Sequence, residues 1–291
     1  MAADVLVRTS EPPRLKVFRR ARELWGAREV LGNLARKELK VRYKSSVLGV
    51  LWSMLNPILY LVVFSLVFSV LLKSPIPDFP VYLLSGLLPW TLFSTGLQGT
   101  TLSVVSNAEL VPKVAFPREI LPLSAIRAQT VNFFFQFLVL VAFMVIFGYP
   151  FLGPGLLLLP AALLVLLLLI AALGFATSAL NVRYRDTGHL VELAVLAWFW
   201  STPIVYGAAF VRENMAPGAF RIYLLNPVTN VVLAFQRALY GGDPANVDRL
   251  PTADLGWYWM RLGLVGLGAV ILLLITWRMF FRMSGDFAEE L

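Results

Sequence analysis

The sequence predicts an all-α integral membrane protein. It has six transmembrane helices, an amphipathic interfacial helix before the first span, and an outer re-entrant helical hairpin between spans five and six. Three observations predict this: apolar blocks of membrane-crossing length, a skew of Lys and Arg toward one side of those blocks, and one apolar stretch too short and too polar to cross. Of the 291 residues, 58% are hydrophobic and 14% charged, and mean hydropathy is +0.75. A soluble domain carries about 25% charged residues.

The first block, 47–72, is apolar apart from serines, Trp52, Asn56, Pro57 and Tyr60. The others run over about 81–105, 120–147, 156–180, 189–210 and 257–281, the fifth broken by Pro203. Each has close to the roughly 20 residues that a hydrocarbon core about 30 Å thick requires. Residues 224–240 are short and contain Asn226, Pro227, Asn230, Gln236 and Arg237. Six spans place nineteen of the 25 basic residues inside, twelve of them between Arg8 and Lys44. A seventh span would move Arg278 and Arg282 outside, against the positive-inside rule. The stretch 224–240 therefore reads as a re-entrant or interfacial hairpin, tolerated where protein or a water-filled cavity covers it. The organisation is a cytoplasmic tail (1–46), a six-helix domain (47–281) and a second cytoplasmic tail (282–291), in the plasma membrane.

The net charge of +8 is concentrated before the first span, so it reads as a topology signal and not as a nucleic-acid footprint. In the tail, Leu15, Phe18, Ala21, Leu24 and Trp25 recur at near-helical spacing among Lys16, Arg19, Arg20 and Arg22. That pattern suits a helix lying in the headgroup region, basic face toward anionic lipid. A solvated basic tail is the alternative.

Several chemistries are excluded. There is no cysteine, hence no disulfide or thiol chemistry. No GxxxxGK[ST] loop occurs, so the chain carries no ATPase of that kind. The single histidine, His189, reads as an interfacial residue, and no metal-ligand spacing is present. No midplane carboxylate marks an ion-coupled carrier, since Glu192 and Arg127 lie near the inner ends of their spans. Transport powered by another chain becomes the default, and power must then enter through an inner surface. The loop between spans two and three, 106–125, offers Glu109, Lys113, Arg118 and Glu119 beside Leu110, Val114 and Phe116, punctuated by Pro112 and Pro117. It reads either as a stiff element to push on or as a tight connector.

The run LARKELKVRYKSSVLGVLWSMLNPILYLVVFSLVF (34–68) resembles the start of permease subunits of polysaccharide-exporting ABC transporters, of the type-2 exporter family that moves O-antigen, teichoic acid and galactan-type lipid-linked glycans. NAELVPKVAFPREILPLS (107–124) resembles that family's coupling segment. LNVRYRDTGHL (180–190) is similar to its second inner loop, STPIVY (201–206) to its fifth span, and LNPVTNVVLAFQRALYG (225–241) to its outer re-entrant region. Residues 1–13 and 242–255 match none of its motifs.

The resemblance implies a transporter subunit that is no enzyme by itself. Two copies would surround a channel, and two separate subunits beneath them would bind ATP and Mg. Glu109, Leu110, Lys113, Phe116, Pro117, Arg118 and Glu119 would seat in a groove of each ATP-binding subunit. The substrate would be a polysaccharide or lipid-linked glycan. A drug or simple-lipid permease is the near alternative, an ion-coupled carrier the far one.

A glycan slides best past aromatic faces without deep binding wells. Trp52, Tyr60, Phe64 and Phe68 on span one and Trp198, Trp200 and Tyr206 on span five are candidates to line its path; an interfacial or lipid-facing placement is the alternative. Arg42, Tyr43 and Lys44 are candidates for an inner gate or a lipid-phosphate contact, with simple topology anchoring as the alternative.

Overall fold

The structure, a computed structural model, describes residues 17–43, 55, 58–60, 62, 63, 66–71, 76–114 and 116–291. The described residues are helical, with no strand among them. The elements are α1 (Val17–Gly26), α2 (Arg28–Tyr43), a π-helical turn (Leu66–Leu71), α3 (Phe79–Ser103), α4 (Leu110–Lys113), α5 (Ile120–Ile146), α6 (Leu158–Arg183), α7 (Thr187–Trp200), α8 (Ala208–Asn214), α9 (Pro217–Tyr223), α10 (Pro227–Ala238), α11 (Leu255–Met283) and α12 (Phe287–Glu290). Most of the predicted first span, with Trp52 and Phe64, lies outside the described residues, as does Lys44.

Three of these segments are long and apolar enough to cross a membrane: Ile120–Ile146, Pro154–Arg183 and Leu255–Met283. They coincide with the predicted third, fourth and sixth spans. Leu138 and Val145 on α5, Leu164 on α6, and Leu264, Leu267, Ile271 and Ile275 on α11 are exposed. So much exposed apolar surface on long helices is what lipid covers and water does not.

α3, at 25 residues, is nearly as long but differs in kind. It packs against α5, α6, α7 and α10, and is buried on nearly every side. Its polar residues are accommodated inside the helix: Thr91 donates to the Leu87 carbonyl (2.8 Å), Thr95 to Thr91 (2.7 Å) and Thr101 to Leu97 (2.7 Å). A hydroxyl satisfied by its own backbone can be buried at little cost. Where α3 crosses α6, a Cβ on Gly174 would lie 2.5 Å from Thr100 Oγ1, so the glycine sets the approach of the two helices.

The predicted fifth span is interrupted. α7 ends at Trp200, and residues 201–207 turn before α8 begins. Pro203 lacks the N–H that the next helical turn would need. The turn is pinned from two helices: Tyr82 Oη on α3 donates to the Tyr206 carbonyl (2.9 Å) and Gln236 Nε2 on α10 to the Pro203 carbonyl (2.9 Å).

α10 lies within the predicted re-entrant stretch. Its 12 residues make a helix about 18 Å long, short of the roughly 30 Å of a hydrocarbon core. Every residue from Val228 to Ala238 is buried, against α3, α6 and α11. The polar residues that made this stretch ambiguous have structural partners. Asn226 caps the helix by accepting from the Val228 and Thr229 amides, Pro227 occupies the first turn, and Asn230 donates to the Leu224 and Asn226 carbonyls.

Residues 242–255 fold over the end of the bundle where α3 begins. Asn246, only 2% exposed, donates to Asp78 Oδ2 (3.1 Å) and Tyr149 Oη (2.9 Å). Tyr149 in turn donates to the Tyr240 carbonyl (2.6 Å), and Tyr240 to the Pro77 carbonyl (3.0 Å). Three loops distant in sequence are thereby tied into one cap.

Candidate functional site

The opposite end of the bundle, its base, gathers α1, α2, the segment 104–119, the close of α6 and both α11 and α12. Val104, Val111, Leu121, Phe175, Ala179, Val182, Phe280 and Phe287 form an apolar cluster there, separate from the main core, with Leu34, Phe116 and Trp277 packed against it.

The segment 104–119 leaves α3 through a 3-10 turn (Val105–Asn107), forms the single turn α4, extends at Val114, and enters α5 after Glu119. Pro112 does not break α4, because it lies in the first turn, where its missing N–H is not required. The seven predicted coupling residues divide by position. Glu109 and Lys113 point outward, their side chains 91% and 69% exposed, and form an i,i+4 ion pair at 3.9 Å. Leu110, Phe116, Pro117 and Arg118 are half-buried, and Arg118 Nη1 donates to the Gly285 carbonyl (3.5 Å).

Glu119 is wholly buried. Arg20 holds both of its oxygens, Nε to Oε1 and Nη2 to Oε2, each at 2.8 Å. Trp277 Nε1 donates to Oε1 at 3.2 Å. The Arg20 guanidinium also lies over the Phe281 ring, 5.0 Å from its centroid, and donates to Glu23 at 2.8 Å. Hydrogen bonding to Glu119 holds the Arg20 pKa above its ordinary value, against the opposing effect of partial burial. Arg20 and Arg19 together hold the Glu23 carboxyl below the usual range.

This geometry corrects one feature of the amphipathic reading. Arg20 does not share a lipid-facing basic side with Arg19 and Arg22. It turns inward, with Val17 and Leu24 beside it, because a buried carboxylate requires a cation. Phe18 (92% exposed) and Trp25 (71%), with Ala21 between them, form the outward face of α1.

The candidate channel residues lie elsewhere. Trp200 is 59% exposed at the end of α7, and its carbonyl accepts from Tyr206 Oη (2.7 Å), so the structure brings these two together. Tyr206 Oη is also 3.4 Å from Tyr223 Oη. Trp198 faces inward, donating to Asn226 Oδ1 (2.9 Å) and standing edge-on to Phe93 at 5.0 Å. Tyr60 is 48% exposed. Phe68 stacks on Phe79 at 5.4 Å. Arg42 and Tyr43 are the last two residues of α2. Among the described residues no group of His, Cys, Asp or Glu is placed to hold a metal.

The sequence reading missed four residues of the base: Arg20, Trp277, Phe281 and Phe287. Arg20 carried a usable signal, since it falls on the helical face away from Phe18 and Trp25. Phe287 carried another, as an aromatic among the polar and acidic residues 284–290.

A model of the ABC-2 type transporter family matches residues 29–240. An O-antigen export system permease protein from Myxococcus xanthus is 33% identical over 94% of this chain and 100% of its own. One from Klebsiella pneumoniae is 29% identical over 74% of this chain and 81% of its own. The polysialic acid transport protein of Escherichia coli is 36% identical over a shorter stretch, 20% of this chain and 24% of its own. The chain belongs to the ABC-2 type transporter family.

Proposed function

We propose that this chain is the permease subunit of an ABC exporter that moves polysaccharide or lipid-linked glycan across the bacterial plasma membrane, with ATP hydrolysed in a separate subunit. The observation that carries the reading is its similarity, along nearly its whole length, to a permease of O-antigen export. The base supports it: the segment that carries an exposed, charged single turn ends at a buried network that reaches α1 and α11.

In this reading the membrane domain crosses six times, both ends of the chain lie in the cytoplasm, and α10 sits in a re-entrant region on the outer side. Two copies pair around the path, and an ATP-binding subunit, carrying ATP and Mg, docks under each. Glu109, Leu110, Lys113, Phe116, Pro117 and Arg118 meet that subunit. Glu119 supports that contact from inside, through Arg20 and Trp277. Trp200 and Tyr206, with Tyr60, line the path with aromatic faces; Trp198 supports them by fixing Asn226. The exposed Phe18, Ala21 and Trp25 rest in the headgroup region. Arg42, Tyr43 and Lys44, which precede the first span in sequence, serve as an inner gate or as a contact for a lipid phosphate, which cations suit.

Depleting the chain in its own cell tests the proposal. Surface polysaccharide should disappear while full-length polymer accumulates inside, and a plasmid copy should restore export. Unchanged surface polysaccharide in depleted cells would sink it.

A further inference from the structure

The base contains an element that the coupling reading does not use. After α11 ends at Met283, the chain reverses through residues 284–286: the Ser284 amide bonds the Phe280 carbonyl (2.8 Å) and the Asp286 amide the Met283 carbonyl (3.1 Å). The turn brings Phe287 back beneath the helix it has just left. Its ring meets Phe280 edge-on at 5.4 Å, and Phe280 in turn meets Phe175 of α6 at 5.3 Å. Phe287 is completely buried, in one cluster with Val104 and Val111 of the segment 104–119, and Leu291 packs against the same cluster.

Two features make this more than tail packing. A four-residue helix such as α4 has no stability of its own, because one turn fixes several dihedral angles for a single hydrogen bond. Its orientation therefore comes from the burial of Val111, which stands between the exposed Glu109 and Lys113. The second feature is Arg118, half-buried at the other end of the segment, which donates to the carbonyl of Gly285 in the reversing turn. The last residues thus touch the segment at both its buried apolar point and its polar exit.

Resting on the coupling role proposed above, we propose that α12, through Phe287, is a positioning element for the segment 104–119. It supplies the floor against which α4 is pressed, so that a push on Glu109 and Lys113 moves α11 and α6 with them. Without the floor, the push bends the segment in place.

The test uses the full chain in complex with its ATP-binding subunits, as Phe287→Ala, Phe287→Leu and a chain ended at Gly285, beside Glu109→Arg as a direct change to the exposed turn. Two quantities are read: amide hydrogen exchange across 105–118, and polysaccharide exported per ATP hydrolysed. Phe287→Ala and the shortened chain should exchange at least ten-fold faster in that segment and export at least three-fold less per ATP. Phe287→Leu, which refills most of the volume, should restore both. Unchanged exchange in the shortened chain overturns the proposal. So does faster exchange with export per ATP unaltered while Glu109→Arg uncouples. If Glu109→Arg also leaves coupling intact, the coupling role of the segment has failed, and the proposal falls with it.

Discussion

Arg20 and Glu119 lie 99 residues apart in the chain and meet in a two-point ion pair, each nitrogen 2.8 Å from a different carboxylate oxygen. The carboxylate is fully buried, whereas the arginine side chain is 21% exposed. The pair joins the first described helix to the residue that opens α5, and Trp277 brings α11 to the same carboxylate. Three elements with no sequence proximity are thus fixed to one another through a single acidic group.

Removing the cation should therefore be expensive. Arg20→Ala leaves a buried carboxylate with only the Trp277 N–H, and breaking a buried pair from one side destabilises by about 3 kcal/mol or more. Glu119→Gln should be milder, since a neutral amide can still accept from Arg20 and Trp277. Thermal unfolding of the purified chain should rank wild type above Glu119→Gln above Arg20→Ala; equal midpoints would show that the pair contributes nothing.

The crossing of α3 and α6 offers a steric test. Gly174→Ala places a methyl against Thr100 and should destabilise by about 1–3 kcal/mol through overpacking. Thr100→Ala in the same chain should recover part of the loss by removing the crowding hydroxyl and methyl. Loss without recovery would place the cost elsewhere than at this contact.

The turn after α7 depends on donors from its neighbours. Gln236→Leu leaves the Pro203 carbonyl only the longer bond from Tyr82 Oη (3.4 Å) and should destabilise by about 1 kcal/mol. A Cβ on Gly86 would approach Gln236 Nε2 to 2.9 Å, so that glycine leaves room for the donor. Denaturation in detergent measures the difference, and a variant as stable as the parent would make the bond dispensable.

Charge placed on the proposed path should slow export. Trp200 is exposed at the head of the turn, and Trp200→Asp should lower the export rate with the chain still inserted and the ATP-binding subunit still attached. A normal rate would move Trp200 to the lipid side.

The helices of the bundle were legible because lipid imposes a length and a composition. The blocks 120–147, 156–180 and 257–281 coincide with Ile120–Ile146, Pro154–Arg183 and Leu255–Met283. The break near Pro203 was legible for a local reason, the missing N–H. What the sequence could not show is which polar residues face inward. Arg20 falls on the face of α1 away from Phe18 and Trp25, but nothing local names its partner, Glu119, 99 residues away. Asn246 lies in a stretch with no motif, yet Asp78 and Tyr149 gather around it. Phe287 is the same case in apolar form: its burial depends on a reversal at 284–286 that has no periodicity to announce it. Local pattern specifies elements, and long-range polar pairing specifies the site.

Purification from native membrane in mild detergent, with mass spectrometry of what accompanies the chain, decides whether a separate subunit powers export. A stoichiometric partner bearing a phosphate-binding loop is expected, with ATP hydrolysis in the complex and polysaccharide as its cargo. A chain that purifies alone, and exports polysaccharide from vesicles without ATP, would contradict it.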